Sequence, residues 1–280
     1  MKLTKIGVCG KFFNILKNLY RNDSCQVKLE DGLTKSFLTN QGVKQGCILS
    51  PLLFNIYLSD LTRQIGGENC KPLKIHASNP ISCIIWADDI VLLSETEEGL
   101  QCMLNHLSEY TKINGMKINS DKTKSMIFNK SGKIFRRTFT VGNERIFTTS
   151  SYKYLGFLVT PSGEIFSGLK NLKDRALKAY YKLKKTMGTY FRLYPIVTLH
   201  LFDTLIKPIL LYNSDFWGCL KLPSNNPIEN THMRFSKDLL GVQRQTNWST
   251  SRNWKSTNYA LWEEKLYKKL GKDSFGRQCK

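Results

Sequence analysis

Residues 81–93, Ile-Ser-Cys-Ile-Ile-Trp-Ala-Asp-Asp-Ile-Val-Leu-Leu, constrain this chain more than any other stretch. Two short apolar runs, rich in β-branched and aromatic residues, flank Asp88 and Asp89. Runs of that length and type read as strands, and the polar pair between them reads as a tight hairpin turn. Neighbouring carboxylates repel, and burial between strands would add a desolvation cost. A divalent cation offsets both, and paired hard oxygen ligands suit Mg²⁺ or Mn²⁺. A solvated Asp-Asp turn is the plainer alternative, since Asp is common in turns. The rest of the chain decides between them.

With 280 residues, 41% of them hydrophobic, the chain is long enough for one or two domains with real cores. Its 42 Lys+Arg against 22 Asp+Glu leave a net charge of +20. A charge that large disfavours compaction unless a polyanion neutralises it, and nucleic acid is the usual one. An acidic membrane is the competing partner. No run is long enough to span a bilayer and no terminal segment reads as an amphipathic anchor. The most apolar late stretch, Leu199 to Trp217, is interrupted by Asp203, Lys207, Pro208 and Asp215. Met1 to Lys5 has no apolar signal core behind it, so the expectation is an intracellular protein, nuclear or cytoplasmic, and not a secreted one. The 8 cysteines are scattered without a Cys-x-x-Cys pair. They read as reduced thiols, with neither a zinc site nor a disulfide framework expected.

Before the aspartates, Phe12, Ile15, Leu16 and Leu19 predict an amphipathic helix over 11–20, and residues 25–38 predict a hairpin turning at Glu30-Asp31-Gly32. Gly42 and Gly46 allow a backbone to approach a ligand closely. Ser50 then suits an N-cap and Pro51 a first helical turn, opening a helix that buries Leu52, Leu53, Ile56, Tyr57 and Leu61. After the aspartates, Ser94 with Glu97 reads as a capping box for a helix that ends near Asn114, with Gly115 as its stop. A polar turn over 119–124 leads into an expected strand at 125–128. A hairpin around Gly142-Asn143 and a further strand over 152–159 follow. These elements make a mixed α+β region up to about residue 162.

From Glu164 to Met187 the character changes. Ile165, Leu169, Leu172, Ala176, Tyr180, Leu183 and Met187 follow a spacing of three and four. Other faces carry Lys170, Lys173, Arg175, Lys178, Lys182, Lys184 and Lys185, of which Lys170, Lys173, Lys178, Lys182 and Lys185 are the candidate nucleic-acid contacts. A basic helix face is often merely solvated, but in a chain of this charge it suits a phosphate backbone. More helix is expected over 199–211 and 228–240, with Gly241 as a cap. The tail after Asn247, with Trp248, Trp254 and Trp262, shows no clear period.

Four blocks now stand in order: Gln41 to Asn55 with its Gly-x-x-Gln-Gly-Cys-x-x-Ser-Pro-Leu core, Ala87-Asp88-Asp89, Gly115 to Lys124, and Tyr154-Leu155-Gly156. In these blocks the chain resembles the reverse transcriptases of non-LTR (LINE-type) retrotransposons. The resemblance runs from about Leu3 to Gln245, and Trp86 stands where that family more often has Tyr or Phe. It implies RNA-directed DNA synthesis by a right-hand polymerase. Residues 1–162 would be a partial palm bearing the active-site hairpin, residues 163–247 an all-helical thumb, and residues 248–280 an unassigned tail. By the same resemblance Asp88 and Asp89 hold Mg²⁺ (or Mn²⁺), and Gln45 and Gly46 line the nucleotide pocket. Lys122, ahead of Lys124, stands near the leaving pyrophosphate, and Tyr154-Leu155-Gly156 forms the primer grip. The partners implied are an RNA template, a DNA primer, their hybrid, and dNTPs.

The family also uses a further aspartate on an earlier strand that bridges both metals. Before Gln41 the acids are Asp23, Glu30 and Asp31, and none ends an apolar strand. The sequence therefore reads as starting downstream of that strand, with the fingers absent, and as inactive unless an upstream polypeptide completes the site. Two other readings stay open: a non-catalytic nucleic-acid-binding remnant, and a group II intron maturase-like protein. The run Leu52 to Leu58 and the stretch Leu210 to Gly218 look more like the retrotransposon kind.

Overall fold

The computed structural model of the chain describes residues 2–21, 23–39, 42–75, 80–220, 222–223 and 226–240. The chain divides into two compact units, residues 1–123 with 138–146, and residues 124–137 with 147–280. The expected Gly241 cap and the tryptophan-bearing tail lie outside the described residues.

The first unit mixes helix and strand. Helix Glu97–Ile113 is its backbone, and it forms because Met103, Leu104, Leu107 and Tyr110 recur on one buried face. Glu97 and Glu98 in its first turn and Lys112 in its last complement the helix dipole. It ends at Asn114, followed by Gly115 at φ +63°, as its sequence predicts. Its N-cap differs from the expectation. Thr96 caps it, the Gly99 N–H donating to the threonine hydroxyl at 3.0 Å. The Ser94 hydroxyl is drawn away to the carbonyls of Cys70 and Lys71, 3.0 Å from each.

Against this helix pack Leu58, Leu61, Ile65 and Cys70, with Ile85, Ile90 and Leu92 of the aspartate hairpin beside them. Helix Ser50–Leu58 carries Pro51 in its first turn as expected. Ser50 is a buried helical residue rather than a cap, and its hydroxyl donates to the Lys44 carbonyl at 2.6 Å. Leu52 and Tyr57, expected inside, are exposed, because the helix stops at Leu58 and buries its C-terminal end and Leu61 instead. The hairpin of residues 23–39 forms in two steps, Asp23–Cys25 with Phe37–Thr39 and Lys28–Leu29 with Gly32–Leu33. Strands Thr138–Val141 and Glu144–Phe147 pair around Gly142-Asn143 as expected. Phe139, Val141 and Ile146 pack on Leu104. Residues 125–128, expected as a strand and belonging to the second unit, contribute only a parallel bridge from Ser125 to Thr148.

The second unit is mainly helical. Helix Ile165–Met187 buries Leu169, Leu172, Ala176, Tyr180 and Leu183, the predicted stripe. Helices Pro195–Leu205 and Pro227–Leu240 add Leu199, Phe202, Phe235 and Leu239 to the same core. The rings of Phe202 and Phe235 stack at 3.8 Å, and Tyr180 meets Phe191 and Phe235 edge-on. The Tyr180 hydroxyl donates to Asp238, which Lys184 also reaches at 3.0 Å. Burial and the Asp238 carboxylate push the Tyr180 hydroxyl far above its ordinary pKa. A hairpin, Tyr152–Tyr154 with Phe157–Val159, seats Phe157 on this helix. The close approach requires Gly168, where a Cβ would stand 2.1 Å from the Phe157 ring.

Candidate active site

Strands Cys83–Trp86 and Asp89–Leu92 pair in the register Cys83 with Leu92, Ile84 with Val91, Ile85 with Ile90 and Trp86 with Asp89. Side chains alternate across a strand, so successive pairs point to opposite faces. Ile85 and Ile90 turn into the core beneath. Trp86 and Asp89 therefore lie on the other face, where Trp86 is 65% exposed. The turn consists of Ala87 and Asp88, with Ala87 at φ +52°. A non-glycine residue there carries strain of about 1–3 kcal/mol, which persists where the flanking structure dictates the turn. Here the two paired strands and the partly buried isoleucines Ile85 and Ile90, packed on the core, dictate it.

Both carboxylates are exposed, and neither joins an ion pair among the described residues. The expected cost of burial is thus not incurred. Asp88 and Asp89 are adjacent residues at the tip of the hairpin. This donor set of hard oxygens in open solvent fits a divalent cation such as Mg²⁺ or Mn²⁺.

Gln45 and Gly46 lie in the same unit, on the loop leading to helix Ser50–Leu58. Both are exposed, and Gly46 holds φ +80° with open space where a Cβ would be. Lys122 is exposed in a turn closed by Asn119, whose side-chain oxygen accepts the Lys122 N–H at 3.1 Å. Lys122 makes no ion pair with either aspartate. Lys124 falls in the other unit.

The acids before Gln41 are paired with a lysine or exposed in a hairpin turn. Asp23 pairs with Lys44 at 2.9 Å and accepts from the Thr39 hydroxyl at 3.3 Å. The Lys44 ammonium holds its carboxyl below the ordinary aspartate range. Glu30 and Asp31 sit exposed at a hairpin tip.

In the helical unit, Tyr154 ends a strand, but Leu155 and Gly156 break the continuous strand that the sequence predicts over 152–159. They form a tight turn, with Leu155 at φ +43° and Gly156 at φ +82°. Positive φ at both central residues is the backbone twist that two-residue hairpins favour. The Tyr212 hydroxyl donates to the Leu155 carbonyl, and Arg175 reaches the Gly156 carbonyl at 3.4 Å. Sequence reasoning did not single out Tyr212, 57 residues from Leu155. Lys170, Lys178, Lys182 and Lys185 are exposed on helix Ile165–Met187, and Lys173 is half-buried. Lys178, Lys182 and Lys185, spaced four and three, form one stripe opposite the buried face.

Residues 1–159 match the family described as reverse transcriptase (RNA-dependent DNA polymerase). The chain belongs to that family. It is 31% identical over 172 residues to the Retrovirus-related Pol polyprotein from type-2 retrotransposable element R2DM of Drosophila melanogaster, across 58% of this chain and 16% of that protein. The type-1 retrotransposable element R2 polyprotein of Nasonia vitripennis is 28% identical over 254 residues, 82% of this chain and 24% of that protein. A probable RNA-directed DNA polymerase from transposon BS of Drosophila melanogaster is 23% identical over 227 residues, 78% of this chain and 24% of its own length. This member of the reverse transcriptase family thus sits with the non-LTR retrotransposon kind. The chain spans between 16% and 24% of the length of these three relatives. Among the described residues no helix is long and apolar enough to cross a membrane.

Proposed function

We propose that this chain supplies the palm hairpin and the helical thumb of an RNA-directed DNA polymerase that extends a DNA primer on an RNA template. The reaction joins the primer 3′-hydroxyl to the α-phosphorus of a dNTP and releases pyrophosphate. Two divalent cations, Mg²⁺ or Mn²⁺, supply the charge that lowers the hydroxyl pKa and neutralises the leaving group when bound. Asp88 and Asp89 would hold those cations. Gln45 and Gly46 would border the nucleotide, the glycine leaving room for base and sugar. Lys122 would neutralise the pyrophosphate end. Tyr154-Leu155-Gly156 would grip the primer, and Lys170, Lys173, Lys178, Lys182 and Lys185 would track the phosphates of the hybrid.

One observation carries this reading: two adjacent exposed carboxylates crown a hairpin whose opposite face is locked into the core. A solvated turn has no need of so rigid a mount.

The two aspartates are poor counterions for two dications, and Asp23, Glu30 and Asp31 do not complete the set. Disturbing even an outer-shell partner of a metal site costs about 10–100-fold in affinity or activity. A missing bridging carboxylate costs more, so the 280-residue chain by itself does not polymerise measurably, and a third carboxylate on another segment of polypeptide restores extension. Primer extension with Mg²⁺ and with Mn²⁺, comparing wild type with Asp88→Asn, tests both statements. Robust extension by the isolated chain contradicts the incompleteness. Extension by a completed enzyme that survives Asp88→Asn contradicts the assignment of Asp88.

A second reading, a non-catalytic binder of RNA or of an RNA–DNA hybrid, is favoured by the engagement of Asp23 with Lys44. Metal-dependent dNTP binding separates the two, since a pure binder has no use for the aspartates.

A further inference from the structure

The scattered cysteines are not all alike. Cys70 closes the 3₁₀ turn Glu68–Cys70, and Cys102 and His106 stand one turn apart on helix Glu97–Ile113. The Cys70 sulfur lies 2.8 Å from that of Cys102 and 3.6 Å from His106 Nδ1. All three donor atoms fall within 4.8 Å of one another. Cys70 is fully buried, and Cys102 and His106 are half-buried.

The backbone brings them together. Gly99 lets the helix press against the turn, since a Cβ there would sit 2.5 Å from the Cys70 carbonyl oxygen. The Ser94 hydroxyl holds the same segment at the Cys70 and Lys71 carbonyls. The donor set is therefore mounted on two elements fixed independently of any ligand. Thiols make weak hydrogen bonds, so their own contacts give little reason for two thiols and an imidazole to converge.

We propose that Cys70, Cys102 and His106 bind one Zn²⁺ ion, leaving the fourth position to water. Two thiolates and a neutral imidazole balance the charge of Zn²⁺, so the assembly is neutral at a buried position. Binding displaces the two thiol protons to solvent. Tetrahedral zinc with Zn–S of about 2.3 Å and Zn–N of about 2.0 Å sets S···N at about 3.5 Å and S···S at about 3.8 Å. The Cys70 to His106 spacing already meets the first value. The second requires the half-buried Cys102 sulfur to move outward by about 1 Å, within reach of a side-chain rotation. A Cys70–Cys102 disulfide would leave His106 without a role. Soft thiolates with imidazole favour Zn²⁺ over the hard cations that suit Asp88 and Asp89. Bound zinc would staple the 3₁₀ turn to the helix that seats the aspartate hairpin. This site and the polymerase reading stand on different residues, so either can fail while the other holds.

The test is a Co²⁺ titration of the reduced, chelator-stripped 280-residue chain, followed by its thiolate-to-cobalt absorption band. The band should saturate near about one equivalent, as a single site requires, and Zn²⁺ should abolish it. Cys102→Ser and His106→Gln, at half-buried positions, should each weaken binding by at least about tenfold. Cys219→Ser should not change it. Circular dichroism establishes that each variant is folded. Absence of the band in folded wild type overturns the proposal, as does equal affinity in Cys102→Ser and His106→Gln. A Cys70–Cys102 disulfide recovered by peptide mapping, with no cobalt bound, assigns the pair to a redox link instead.

Discussion

Trp86 and Asp89 stand directly opposite each other across the aspartate hairpin, so Ala87 and Asp88 make up the whole turn. That register fixes which way each acid points. Asp89 belongs to a strand and takes its direction from the pleat, on the face away from the core. Asp88 takes its direction from the turn, whose first residue is an alanine in the left-handed region. The two carboxylates are thereby set by different parts of one rigid unit.

The Ala87 backbone predicts a stabilising substitution. Ala87→Gly should remove about 1–2 kcal/mol of left-handed strain and give back about 0.4–1 kcal/mol through a freer unfolded chain. The net should raise stability by up to about 1.6 kcal/mol, read as a higher urea midpoint at unchanged slope. A lower midpoint would mean that the alanine side chain makes contacts worth more than the strain.

His232 predicts an acid-sensitive helical unit. It is fully buried beside Phe202, with ring centroids 5.8 Å apart. Burial, with a smaller contribution from the Lys207 charge, pulls its pKa down to about 3. In the unfolded chain the imidazole titrates near about 6.5, so between these values only the unfolded state binds the proton. Stability contributed by the neutral ring is complete above about pH 6.5 and falls as pH drops, by up to about 1.4 kcal/mol per unit. Urea unfolding at pH 7 and pH 5 should differ by about 2 kcal/mol. The difference should shrink in His232→Gln, and an unchanged difference there would place the sensitivity elsewhere.

The exposed stripe of Lys178, Lys182 and Lys185 predicts a salt signature. Binding of an RNA–DNA hybrid should weaken linearly in log–log form with salt. Each lysine that contacts a phosphate should contribute about 0.7–0.9 to the slope. Changing all three to Ala should lower the slope by about 2 while leaving the fold intact, since none is buried. An unaltered slope, measured by fluorescence anisotropy over a salt series, would return the stripe to an ordinary solvated face.

Long amphipathic helices were legible from their spacing. The stripe from Ile165 to Met187 and the face from Met103 to Tyr110 bury as their periods dictate, because the packing of one helix face repeats over many turns. Features set by tertiary contact were not. Ser94 with Glu97 satisfies the capping-box pattern, yet the 3₁₀ turn at Cys70 captures the Ser94 hydroxyl and leaves the cap to Thr96. Tyr154-Leu155-Gly156 reads as strand by composition, but Gly156 supplies the positive φ of a turn that Tyr212 secures from far along the chain. The aspartate hairpin was legible, but its turn falls at Ala87-Asp88, one residue before the expected Asp88-Asp89, because Asp89 pairs with Trp86 as part of the second strand. The exposure of its carboxylates was not legible, since alternation alone does not tell which face a core covers. Cys102 and His106, four apart on a predicted helix, carried a local hint of a shared face. Cys70, 32 residues away, could be joined to them only by the fold.

Metal binding at the hairpin tests the account most directly. Mn²⁺ binding to the 280-residue chain, followed by electron paramagnetic resonance in the presence of primer–template and dNTP, should report a site that depends on Asp88 and Asp89. Asp88→Asn should weaken it by at least about tenfold, the lower end for disturbing a metal site. Asp121→Asn, on an exposed turn, should leave it unchanged. Equal Mn²⁺ affinity in wild type and Asp88→Asn would contradict the account, leaving the aspartate pair a solvated turn.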